Sequence, residues 1–199
     1  MIDVALRPEF RFGRTVVQVA VGDVLSQETE CIVIAANRRG VLGPIPTSGL
    51  SGLRSLGGSA IERAAMAQAP LDLGTALVTP AHGLEERGIH AVVHAVVHPA
   101  LGERARIEHV RRATPAVLDA AAVARLRSIA MPLLGVESRT PPADVEMLVG
   151  ALVDELVGGL RRSEPRINQV VLVCRFLEQA TVVESALSRA RQRVWLQIS

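Results

Sequence analysis

Ala91–Val97, AVVHAVV, carries the reading of the fold. The run is short, β-branched and apolar on both of its faces, interrupted only by His94. A strand of that kind belongs in a sheet covered by helices on both sides, because a half-solvated strand alternates apolar with polar residues. Working outward, Thr15–Val21 (TVVQVAV), Cys31–Ala35 (CIVIA), Ser128–Met131 (SIAM) and Gln169–Cys174 (QVVLVC) have the same character and are bounded by turn signals. Val194–Ile198 is expected to add a last strand.

Helical patterns lie between these runs. Val145, Leu148, Val149, Leu152, Val153, Leu156, Val157 and Leu160 form one apolar stripe, which predicts a helix over Pro142–Leu160 with Thr140 as N-cap and Pro141 in the first turn. Ile107, Val110, Val117, Leu118 and Ala121 mark another, and Pro115 predicts a break with a restart capped by Thr114. Ser59-Ala60-Ile61-Glu62 reads as a capping box opening a helix to about Gln68. Leu177–Arg191 is the last helix. Strands alternating with helices predict an α/β domain with a largely parallel sheet. No internal repeat or linker divides the chain. It is read as one domain over 1–199, with the core at about 15–198 and 1–14 as an extension or edge strand. Arg38–Leu56 departs from the pattern: 19 residues hold four Gly, two Pro and four Ser or Thr, which predicts a long functional or unstructured loop.

Composition excludes several chemistries. All 22 basic residues are Arg, so there is no lysine for a Walker A loop, a Schiff base or a pyridoxal-phosphate anchor. Four aromatics (Phe10, Phe12, Phe176, Trp195) are too few for a base-stacking platform, and no specific nucleic-acid partner is expected. Two cysteines, Cys31 and Cys174, suggest a reducing compartment. No apolar run approaches membrane-spanning length, and the N-terminus has no signal-peptide core, so a bacterial-type cytoplasmic protein is expected.

Some residues could carry chemistry. Gly57-Gly58-Ser59 precedes a helix, where free N–H groups suit a phosphate, though a plain turn explains the glycines as well. Gly22-Asp23 and Asn37 follow strands, the place where parallel sheets bind ligands and also where turns favour Asp and Asn. His90, His94 and His98 lie four apart; on a strand neighbours are about 13 Å apart, so they cannot share a metal. His94 is expected to be a hydrogen-bonded interior histidine. No metal site and no cofactor are expected.

The ordered pieces resemble the macrodomain family of the Appr-1''-p processing type. Gly22-Asp23-Val24 is similar to its G-D-[IV], and Ile32–Asn37 (IVIAAN) to the strand ending N-A-A-N. Gly57–Ala65 (GGSAIERAA) matches the glycine loop before A-I-x-x-A-A, and Gly74–Thr79 (GTALVT) matches G-x-A-x-[VI]-T. Val92-Val93-His94 matches V-[IV]-H, and Ser128–Gly135 (SIAMPLLG) matches S-[IV]-A-[FM]-P-x-[IL]-G. The resemblance implies a three-layer α/β/α sandwich around a mixed, largely parallel sheet, with a cleft for ADP-ribose or a related adenine nucleotide, free or attached to a protein. It implies that Asp23 accepts a hydrogen bond from the adenine amino group, that Asn37 contacts the distal ribose, that Gly57, Gly58 and Ser59 hold phosphate, and that Val24 and Ala36 belong to the ligand-binding set. Gly135, Val136, Glu137, Ser138 and Arg139 stand for the second phosphate loop. Arg175 and Phe176 stand where an aromatic packs near adenine.

Both phosphate loops depart from the family pattern. Gly58 and Ser59 occupy the place of a catalytic aspartate, and Glu137 puts a carboxylate where the diphosphate should pass. The expectation is weak binding without turnover, with no catalytic residue assigned. The alternatives are an ADP-ribosyl hydrolase and a degenerate domain kept as an interaction module.

Overall fold

The computed structural model describes residues 8–42, 50–162 and 167–196. Its strands are β1 (Phe10–Phe12), β2 (Thr15–Val21), β3 (Cys31–Asn37), β4 (Ala76–Pro80), β5 (Ala91–His98), β6 (Ser128–Pro132) and β7 (Gln169–Cys174). They form one seven-stranded sheet in the order β1-β2-β7-β6-β3-β5-β4. The five inner strands are parallel, and the edge strands β1 and β4 are antiparallel to their neighbours. Alternate residues of β3 serve two cores. Cys31 and Val33 pack under α3 (Ile107–Val123), α4 (Pro142–Arg162) and α5 (Leu177–Leu196). Ile32 and Ile34 pack under α1 (Leu50–Gly57), α2 (Ser59–Met66) and the 3-10 turns Val24–Ser26 and His82–Arg87. This is the three-layer α/β/α sandwich, and its two-sided burial is why the inner strands are apolar throughout. No described helix is long and apolar enough to cross a membrane. Cys31 and Cys174 are buried and unbridged, and burial pushes the Cys31 thiol up to about 12.

Several local expectations are corrected. Val194, Trp195 and Leu196 continue α5 instead of starting a strand; the rest of that expected strand lies outside the described residues. α3 runs unbroken through Pro115. The carbonyl that the proline leaves without a helical donor belongs to exposed Arg111, and Thr114 donates its hydroxyl back to the Val110 carbonyl (2.8 Å) instead of capping a new helix. α4 starts at Pro142 as expected, but Thr140 does not cap it and Pro141 stands before its first turn: Val145 N–H bonds the Pro141 carbonyl, and the Thr140 hydroxyl accepts from Glu137 N–H (2.8 Å) in the preceding loop. Of the long Arg38–Leu56 stretch, Leu50–Leu56 belongs to α1, whose Leu53 is fully buried in the smaller core. β4 is an addition to the expected strands: as an edge strand with four of its five residues partly or fully exposed it lacks the apolar signature of the others.

Candidate functional site

β3 and β6 are in register only from Cys31–Ile129 to Ile32–Ala130. Beyond Ile32, β3 continues along β5 while β6 continues along β7. The chain changes direction across the sheet at this point, since the strand that follows β5 returns to the other side of β3. A parallel sheet is open at the carboxyl ends of the strands flanking such a reversal. A cleft of about 360 Å³ lies there.

Each carboxyl end supplies part of the wall. After β2 come Gly22 and Val24. β3 ends in Ala36 and Asn37, followed by the turn Gly40–Leu42. β5 ends in His98, followed by Ala100–Gly102; after β6 come Gly135–Ser138, and after β7 Arg175 with Gln179 of α5. Asn37, buried, builds its own wall: its Oδ1 accepts from Arg39 N–H (3.0 Å) and its Nδ2 donates to the Val41 carbonyl (2.8 Å). Gly40 completes the turn at φ +67, where a Cβ would stand 2.8 Å from the Ala65 carbonyl carbon. The Glu62 carboxylate holds the Leu42 N–H (2.8 Å), tying this wall to α2.

The second loop is partly closed on itself. Val136 N–H bonds the Leu133 carbonyl, and Glu137 N–H bonds Thr140 Oγ1. Among the described residues the N–H groups of Ser138 and Arg139 have no protein acceptor. Glu137 is about one-third exposed, with Oε1 3.9 Å from His98 Nδ1. His98 Nδ1 also lies 2.8 Å from the Glu103 carbonyl. Gln179 Oε1 accepts from the N–H groups of both Arg175 and Phe176, which fixes the turn from β7 into α5.

The cleft thus gathers Val24, Ala36, Asn37, Gly135, Val136, Glu137, Ser138 and Arg175. Asp23 stands between two lining residues without being one; its Oδ1 caps the 3-10 turn through Leu25 N–H (2.9 Å). Arg139 and the half-exposed Phe176 adjoin lining residues without lining the cleft. Gly57, Gly58 and Ser59 do not line it either. Their glycines have structural reasons. A Cβ on Gly57 would strike the Ile61 side chain, and Gly58, at φ 71 and ψ 177, caps α2 in a conformation that side chains avoid. Ser59 is therefore inside the helix, accepting from the Arg63 guanidinium, and no capping box forms.

Sequence reasoning missed His98, Gln179 and the Gly40–Leu42 and Ala100–Gly102 segments. Only the position of His98 at the end of a two-sided apolar strand pointed toward it. His94 lines the cleft floor fully buried. Its Nε2 is 2.9 Å from Thr79 Oγ1, its Nδ1 has no partner, and burial pushes its pKa from 6.5 down to about 4. No group of three or more His, Cys, Asp or Glu that could hold a metal ion occurs among the described residues.

A family model described as Macro domain matches residues 33–147. A protein of Aquifex aeolicus is 31% identical over 159 residues, 79% of this chain and 88% of that protein. The Oceanobacillus iheyensis macrodomain solved with ADP superposes with a TM-score of 0.77 at 16% identity, over 94% of this chain and 97% of that one. The Trypanosoma brucei macrodomain in complex with ADP-ribose superposes with a TM-score of 0.71 at 19% identity, over 86% and 68%.

Two outcomes follow from the placement of Gly58 and His94. Gly58→Ala should lower stability by about 1–3 kcal/mol in urea titrations through backbone strain, while ligand affinity per folded molecule stays unchanged. His94 folds as a neutral base, so the unfolded chain binds its proton first. The stability it contributes is complete above pH 6.5 and falls by about 3 kcal/mol as pH drops to about 4. Urea unfolding across that range should show a shallower pH dependence for His94→Gln, which keeps a partner for Thr79 and cannot titrate.

Proposed function

The chain belongs to the macro domain family, and we propose that its cleft binds ADP-ribose or a related adenine nucleotide, weakly and without turnover. The observation that carries this is the parting of β3 from β6, which opens an elongated cleft across the carboxyl ends of five parallel strands. Two relatives of the same fold are described with ADP and with ADP-ribose. Asp23, beside Val24 at one end, is the acceptor for an adenine amino group, because its second carboxylate oxygen is free of the 3-10 turn. Ser138 N–H and Arg175 are the donors for phosphate. The binding is weak because Glu137 is the one carboxylate among the described lining residues, in a loop that has kept a single glycine. Two unit charges about 6 Å apart at an effective dielectric of 20 repel by roughly 2.8 kcal/mol. A bacterial-type cytoplasm is the setting we infer, and an ADP-ribosylated protein is a partner of the same chemistry.

One observation favours a second reading, release of ADP-ribose by hydrolysis: the His98 imidazole lies in the cleft wall. Its Nδ1 is held by a main-chain carbonyl, and Glu137 at 3.9 Å is beyond hydrogen-bond length, so no carboxylate orients it as a base.

Calorimetric titration tests the binding. ADP should bind more tightly than its hypoxanthine counterpart IDP, which lacks the amino donor, and Asp23→Asn should erase most of that preference, about tenfold or more. Equal affinities for the two in the wild type remove Asp23 from the site. Incubation with mono-ADP-ribosylated protein, followed on a gel, should show no release. Release that disappears in His98→Phe would make hydrolysis the better reading.

A further inference from the structure

His94 is a buried group that the proposed function leaves unused. It is the fourth residue of β5, and strand alternation puts its ring on the face of Val92, in the smaller core. It is fully buried, yet it lines the cleft. Its Nε2 lies 2.9 Å from Thr79 Oγ1, and Thr79 is also buried, with no other described partner for its hydroxyl. Two placements of the ring hydrogen satisfy that contact. A hydrogen on Nε2 would be given to Thr79 and would leave two groups unmet, the threonine O–H and the Nδ1 lone pair. A hydrogen on Nδ1 lets Thr79 donate to Nε2 and leaves one, the Nδ1 N–H. Burial penalises each unmet polar group, so the second placement is the stable one. Burial also keeps the ring uncharged near neutral pH, with its pKa pushed down to about 4.

Among the described residues Nδ1 is the one buried side-chain nitrogen or oxygen without a partner. A neutral donor in a cleft wall matches an oxygen acceptor, and its surroundings say which kind. Ile34, in register with His94, and the lining residues Ala35 and Ala36 bring no positive charge. Arg175 follows β7, which β3 and β6 separate from β5; three inter-strand steps span roughly 14 Å. A phosphate oxygen at His94 would exchange its water for a single uncharged donor, which is unfavourable. His94 also stands four residues, roughly 13 Å along the strand, before His98 at the end of β5. It therefore lies well below the loops that receive Ser138 and Arg175. We infer that the His94 Nδ1 N–H is the donor of a floor site that takes one uncharged oxygen acceptor, supplied by solvent or by a molecule bound in the cleft. The site does not depend on the cleft's ligand being a nucleotide.

Long-range nitrogen–proton correlation on the full wild-type chain at neutral pH tests this, because the carbon-bound ring hydrogens report which nitrogen is protonated. Cross-peaks to Thr79 identify the ring. The hydrogen should sit on Nδ1, and in the ligand-free chain it should show a cross-peak to water. Titration with ADP-ribose then separates the two sources. A water cross-peak that persists, with the Nδ1 resonance unmoved, assigns the oxygen to solvent. A shifted Nδ1 resonance, with the water cross-peak lost at saturation, assigns it to the ligand. Either result upholds the site. A ring hydrogen on Nε2, or an Nδ1 hydrogen that neither contacts water nor responds to ligand, overturns it. A chain that shows the water contact but binds no ADP-ribose keeps the floor site and removes the nucleotide reading of the cleft.

Discussion

β3 must satisfy two neighbours that diverge. Its first two residues, Cys31 and Ile32, are shared between β5 and β6, and from Val33 onward only β5 keeps register with it. The helical layers keep the strand buried from above and below past that point: Val33 and Ile34 are essentially inaccessible although the β6 ladder has ended. Everything at the site follows from that parting. Loops that a flat, fully paired sheet would hold in one row instead face each other across a gap, and Asn37 and His98 are brought opposite Gly135–Ser138. The main-chain groups freed at the carboxyl ends find their partners in local turns, as at Asn37, or keep their donors open, as at Ser138.

Charge is arranged along the same axis. The first turns of α2, α3, α4 and α5 each carry an acid, Glu62, Glu108, Asp144 and Glu178. An acid there offsets the positive end of the helix dipole and stabilises the helix. Of these acids, Glu62 also holds the Leu42 N–H at the cleft wall, and Glu137 adds a carboxylate to the cleft from the loop before α4.

The inner strands were legible because burial on both sides demands apolar residues at every position, and Gln169–Cys174 needs no adjustment. α4 was legible because its stripe is continuous. The misread elements are those where tertiary contacts outweigh local preference. Pro115 is carried inside α3 by the packing of Val110, Val117 and Leu118 into the larger core. Leu53 anchors α1 in a stretch whose glycines and prolines read as loop. Gly57 and Gly58 read as a phosphate cradle, but the close approach of Ile61 and the cap of α2 explain both. At the cleft, residues following strands were visible from sequence, because a strand end is a local signal. His98 beside Glu137 was not, because they lie 39 positions apart with the whole of α3 between them, and only the sheet order brings them within 3.9 Å.

The central claim is the location of the site, and amide shift mapping by NMR during titration with ADP-ribose tests it most directly. The account predicts perturbed amides at Gly22, Asn37, Gly40, Val136, Glu137, Ser138 and Arg175, with Gly58 and Ser59 quiet. Perturbations centred on Gly58 and Ser59 would contradict it.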